Sequence, residues 1–188
     1  SFGTLSSGIM TALSMIIIRD LVTEKISLSD AGIWDGGFRI VIYYNLLLAL
    51  PFSINYIPKF SISKYKSDIT GMFKESLLFN SVIIFLALIF VFILDDFIIE
   101  LLFSEEFSSM KEFLFMLVVA ESIRIYGVYI ANFYTAKAMI FRNFIYEFLF
   151  YLTFIFTSYQ LIDIYQVTGV CYAYLFSSAC YLITYLIS

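Results

Sequence analysis

The chain has 188 residues, of which 62% are hydrophobic and 14% charged, with a net charge of −4 and a mean hydropathy of +0.94. A soluble domain is roughly half apolar and about a quarter charged, and so short a chain leaves too much surface in water to hide this much apolar material. A bilayer removes that difficulty. The acidic balance argues against a nucleic-acid binder, which would carry a basic stripe. The absence of histidine removes His-based triads and the usual zinc sites, and no metal or cofactor is expected.

Six apolar stretches reach the roughly 20 residues that a crossing needs: 2–18, 33–57, 76–94, 113–135, 143–162 and 167–187. The first has neither a charged leader nor a small-residue cleavage site, so no signal peptide is expected, and the chain, which opens Ser1-Phe2-Gly3 without a methionine, is expected to be a piece of a longer protein. Gly8 and Ala12 place small residues one turn apart on it, the spacing that lets membrane helices approach closely. The second stretch carries Asp35 and Arg39 near its start. Pro51 inside it removes a backbone hydrogen bond and is a candidate hinge, while Pro58 closes it. After the third stretch, Phe97 to Phe103 is too short to cross again and extends that helix or lies at the interface.

The fourth stretch is the most informative. Glu121, Arg124, Val128, Asn132 and Thr135 fall on one face at helical spacing, opposite Ile123, Tyr126, Ile130 and Phe133. Arg124 lies near the middle of the stretch, hence near the membrane midplane. The fifth carries Glu147, about one turn inside its edge, on a face with Tyr151 and Ser158. The sixth repeats small residues at Gly169, Ala173 and Ser177, a packing pattern. It also holds Cys171 and Cys180, which a helix would set about 13 Å apart, too far for a disulfide.

Lysines and arginines in the alternate loops set the orientation. Lys59, Lys64, Lys66, Lys74, Lys137 and Arg142 fall on one side, and Arg19, Lys25 and Lys111 on the other. The richer side is read as cytoplasm, which places both ends of the segment there.

Ionisable side chains at the membrane centre cost at least about 2.5 kcal/mol each and usually face a bundle interior or a wet cavity. Two readings are open for the acid–base pairs. Asp35 with Arg39 and Glu121 with Arg124 stand at spacings that allow each pair to neutralise itself within its own helix. Alternatively, the cations line a path for an anion. Glu147 is shallow enough to snorkel to the interface. The 15 tyrosines and 22 phenylalanines read mostly as lipid-facing surface and interfacial belt.

Ala31-Gly32-Ile33-Trp34, the helix ending Tyr56-Ile57-Pro58-Lys59-Phe60-Ser61, the stretch from Phe97 to Phe107, Glu121-Ser122-Ile123-Arg124, Ala136-Lys137-Ala138 and Glu147 occur in an order that resembles the Wzx-type polysaccharide flippases, which carry O-antigen and lipid III. The likeness covers nearly the whole chain, in the order of transmembrane segments seven to twelve. It implies an all-α integral membrane bundle of six helices, residues 1–188 being one lobe of a two-lobed, MATE-like transporter. It further implies that a polyprenyl-pyrophosphate-linked oligosaccharide moves across the bacterial inner membrane by alternating access, without covalent chemistry. In that family an acid and then a base occupy the places of Glu121 and Arg124, and a glutamate that of Glu147. Asp35 and Arg39 match no family position.

The expected site follows from both lines of reasoning. An anionic pyrophosphate and polar sugars need inward cations and hydrogen-bond partners. Arg124, with Asn132 and Thr135, is the first candidate, Arg39 the second, and Lys137 and Arg142 would attract the headgroup at the cytoplasmic mouth. Glu121 or Glu147 would couple transport to an ion gradient. The expected partners are the lipid-linked oligosaccharide, membrane lipid, the N-terminal lobe of the same protein and other polysaccharide-assembly membrane proteins. The rivals are a multidrug exporter of the same superfamily, for whose cationic cargo Arg124 is an obstacle, a membrane-embedded enzyme, for which no nucleophile or metal cluster is found, and a non-transporting assembly protein whose buried charges are paired and dry.

Overall fold

The structure is a computed structural model that describes residues 2–62, 66–136 and 139–187, and these are almost entirely helical. The helices are α1 (Phe2–Lys25), α2 (Leu28–Ile62), α3 (Lys66–Leu102), α4 (Lys111–Ala136) and α5 (Ile140–Ile187), with a 3-10 turn at Glu105–Met110 before α4. Four segments are long and apolar enough to cross a membrane: Leu28–Ile62, Gly71–Leu102, Glu105–Thr135 and Ile140–Ile187.

α5 is not one rod. Its 48 residues would reach about 72 Å at 1.5 Å per residue, over twice the roughly 30 Å hydrocarbon thickness. The chain reverses at Gln166, the one described non-glycine residue with positive φ (φ 53°, ψ −137°). Beyond it the second limb returns along the first. Tyr181 donates to Glu147, Tyr185 to Asn143, and the Tyr174 ring meets those of Phe150 and Phe154. Gly169 is required at this reversal, because a Cβ there would stand 2.4 Å from the Leu161 carbonyl oxygen. The sequence reading took Gly169 as a helix-packing residue; its first role is in the turn. Ala173 and Ser177 are buried, as that reading expected, whereas Gly8 and Ala12 on α1 are exposed, and a Cβ on Gly8 would meet nothing within 4 Å.

One further boundary differs from expectation and another follows it. α2 continues past the exposed Pro58 to Ile62, since a proline removes one intrahelical hydrogen bond without obliging the helix to stop. α3 bends at Leu94 (φ −117°, ψ 19°) and then resumes, so residues 97–102 extend it, the first of the two placements expected for that stretch. Lys111 anchors the region beyond the bend through Asp96 at 2.7 Å.

α4 lies at the centre and α3 at the edge. More than half of the α4 window is buried against 17% of the α3 window, whose Leu78, Phe79, Phe85, Leu86, Phe92 and Ile93 are exposed. In a bilayer such a face meets lipid. The buried positions of α2 (Ala31, Trp34, Phe38, Val41, Tyr44, Leu48, Phe52) recur every three or four residues, so one stripe turns inward. Gly127 lets the Tyr181 ring lie directly on α4, where a Cβ would come within 2.6 Å of it. Successive helices are antiparallel. The end of α1 and the α5 reversal meet through Lys25 and Asp163 at 3.1 Å.

Candidate functional site

Glu121 is a carboxylate held from several sides. It is fully buried on α4 and receives hydrogen bonds from three helices. Arg124, one turn further on, donates from Nε to one carboxylate oxygen at 2.9 Å and from Nη2 to the other at 3.1 Å. The Asn45 amide of α2 and the Tyr174 hydroxyl of the second α5 limb complete the set. A carboxylate has about four acceptor positions, and four donors occupy them. Beside it the Tyr44 hydroxyl and Ser122 Oγ share a hydrogen bond of 2.8 Å, with Ser122 donating back to Val118. Adjacent residues of α2 are thus matched to adjacent residues of α4, which fixes the register of that contact.

Arg124 is not sealed. Its side chain is 16% exposed, and its guanidinium lies 5.4 Å from the centroid of Phe150. Nη1 makes no hydrogen bond among the described residues. The pair lines a cavity of about 150 Å³ whose polar wall is Glu121, Arg124, Asn45, Tyr151 and Thr11, the last two sharing a hydrogen bond of 2.6 Å. Phe38, Val41 and Ile42 supply the apolar wall. A guanidinium with an unused edge in such a space presents paired donors to an anion such as a phosphate. Among the described residues no cluster of His, Cys, Asp and Glu is arranged to hold a metal ion.

The other expected site residues do not gather here. Asp35 pairs with Arg19 of α1 at 3.3 Å, not with Arg39, so the intrahelical pairing allowed by their spacing does not form. Arg39 is exposed and lines a separate cavity of about 220 Å³ with Arg19, Asp35 and Phe103. Six residues separate it from Asn45, a rise of about 9 Å and a rotation of about 120°, so the two open on different faces of α2. Thr135 donates to the Ala131 carbonyl of its own helix at 3.0 Å, and the half-buried Asn132 makes no side-chain hydrogen bond among the described residues. The polar face of α4 is therefore engaged at Glu121 and Arg124 and not along its whole length. Glu147 is buried between the α5 limbs, where Tyr181 donates to it at 3.1 Å, rather than turned to the interface. Arg142 donates to the Tyr146 hydroxyl at 2.9 Å and lies over the Tyr134 ring. Lys137 lies outside the described residues.

Sequence reasoning missed Asn45, Tyr174 and Thr11. Asn45 had a legible signal, being one of two amides in the apolar stretch 33–57. Tyr174 had none, since 15 tyrosines look alike until the fold selects one.

The fold and this centre define a multi-pass helical membrane protein with a buried acid–base pair on one helix, braced by side chains from two others, beside a cavity with polar groups on one wall. Over 126 residues the chain is 29% identical to the lipid III flippase of Escherichia coli (strain K12), and equally to the lipid III flippase of Shigella flexneri. The match covers 67% of this chain and 30% of each relative. It bears out the resemblance to polysaccharide flippases read from the sequence motifs. No protein-family model matches the chain, and no solved structure does.

Proposed function

We propose that this chain is one lobe of a flippase that moves a polyprenyl-pyrophosphate-linked oligosaccharide across the bacterial inner membrane by alternating access. The observation that carries the reading is the Glu121–Arg124 centre, an arginine in the middle of an apolar helix that lines a cavity with polar groups on one wall. The similarity to lipid III flippases supports it and makes a transporter the natural class rather than an enzyme. In this reading the segment crosses the membrane six times, α1 and the two limbs of α5 counting separately. Both ends face the cytoplasm, and a second lobe faces the cavity.

Glu121 holds Arg124 in place while the cavity is empty of substrate. A pyrophosphate then competes for the guanidinium, with Asn45 and Tyr174 left to satisfy the carboxylate. Arg39 offers a second cationic station on another face of α2, and Arg142 with Lys137 marks the cytoplasmic mouth. The O-antigen repeat is the proposed cargo class, and Glu121 and Glu147 the acids available for ion coupling.

Charge-conserving replacement of Arg124 in the full-length protein tests this. Arg124→Lys should keep partial delivery of surface polysaccharide in a flippase-null cell, while Arg124→Gln at normal membrane abundance should abolish it. Equal polysaccharide from both variants would remove Arg124 from the transport path.

A further inference from the structure

A second, roomier cavity is found elsewhere. It lies between α2 and α3, measures about 590 Å³, and has two charged groups on its wall, Lys59 of α2 and Glu75 of α3. The two are exposed and form no ion pair with each other or with any described residue. Lys59 lies over the Tyr56 ring at 5.3 Å, and Asn55 and Asn80 add amides to the same wall. The rest is apolar.

Position along the helices gives this cavity a direction. α2 and α3 have 35 and 37 residues, lengths of about 52 and 55 Å against a hydrocarbon layer of roughly 30 Å. Both therefore project into the headgroup region, and Lys59 lies three residues from the end of α2. Phe52 and Val82 stand seven residues deeper than Lys59 and Glu75 respectively, about two turns towards the midplane. The cavity is charged at its outer end and apolar at its inner end, and Leu78, Phe79 and Val82 at its side are exposed.

We propose that this cavity binds a zwitterionic phospholipid of the phosphatidylethanolamine class. The phosphate lies at Lys59, the ammonium at Glu75, and an acyl chain runs along Leu78, Phe79 and Val82. One cation and one anion held apart on a single wall complement a headgroup that carries both charges. They do not complement a pyrophosphate, whose two negative groups would meet Glu75 unbalanced. The site is separate from the Glu121–Arg124 centre and does not depend on the transport reading.

Native mass spectrometry of the full-length protein, supplied with equal phosphatidylethanolamine and phosphatidylglycerol, provides the test. The unaltered protein should retain phosphatidylethanolamine in preference. Glu75→Lys should invert that preference towards phosphatidylglycerol, and Lys59→Gln should lower retention of both. Both residues are exposed, so neither change threatens folding. Equal retention of the two lipids by the unaltered protein, a preference there for phosphatidylglycerol, or an unchanged preference in Glu75→Lys would each overturn the proposal.

Discussion

Two pairs of an acid and a base, each at helical spacing on an apolar helix, have opposite fates in this molecule. Glu121 and Arg124 close on each other within α4 and draw Asn45 and Tyr174 from neighbouring helices. Asp35 and Arg39 do not close; Asp35 turns to Arg19 of α1, and Arg39 stays exposed. Spacing permits a pair, but burial makes it obligatory. A carboxylate at 0% exposure has no water to fall back on, so its counter-ion must be found inside. At 24% exposure Asp35 can choose among partners and share them with solvent.

The sharpest way to break this comparison is to remove one partner from the buried pair. Glu121→Leu alone leaves a buried guanidinium uncompensated and should cost about 3–5 kcal/mol, seen as a steep fall in membrane abundance. Adding Arg124→Met should restore abundance, since an apolar pair of similar volume is often neutral. If the cavity role holds, the double variant delivers no surface polysaccharide; normal polysaccharide would make the pair structural only. Recovery of abundance is itself the check on the energetic argument, and a double variant as scarce as the single one would refute it.

A smaller effect separates the charged hydrogen bonds from the neutral ones beside them. Tyr174→Phe removes a donor to a carboxylate and should lower stability by about 1.5–3 kcal/mol, whereas Tyr44→Phe, which removes a hydroxyl–hydroxyl bond, should cost about 1 kcal/mol. Thermal unfolding of the purified full-length protein in one detergent ranks the two. The reverse order would show that Glu121 does not rely on Tyr174.

The smallest effects belong to the exposed pair. Asp35→Asn should change stability by no more than about 1 kcal/mol, as for most partly solvated ion pairs. Arg39→Ala should stay within about 0.5 kcal/mol. The same unfolding assay measures both. A destabilisation from Arg39→Ala as large as that from Glu121→Leu would erase the distinction drawn between the two regions. Loss of polysaccharide from Arg39→Ala at full stability would instead mark it as a second station on the path.

Much of the fold was legible because a bilayer simplifies the physics. Apolar runs of crossing length, broken by short charged loops, mark the rods in lipid, and the boundaries expected for the fourth stretch, 113–135, fall within three residues of α4. Arg124 was legible for the same reason, as a costly charge in the middle of an apolar run. The extent of α2 was not, because a proline read as a stop removes only one bond of the helical ladder and α2 runs past it to Ile62.

By itself, then, the sequence determined that this is a helical membrane protein, roughly where its rods lie, and that its chemistry must centre on a few charges within them. Those conclusions need only hydropathy and the helical repeat, which are properties of one segment at a time. Tertiary structure alone decided that Glu121 and not Asp35 is buried and that Asn45 and Tyr174 complete its shell. It also decided that Glu147 serves the α5 hairpin, and that Arg39 and Arg124 open on different faces. Each of these depends on which helices become neighbours and at what rotation, and side-chain packing between segments far apart in sequence sets both.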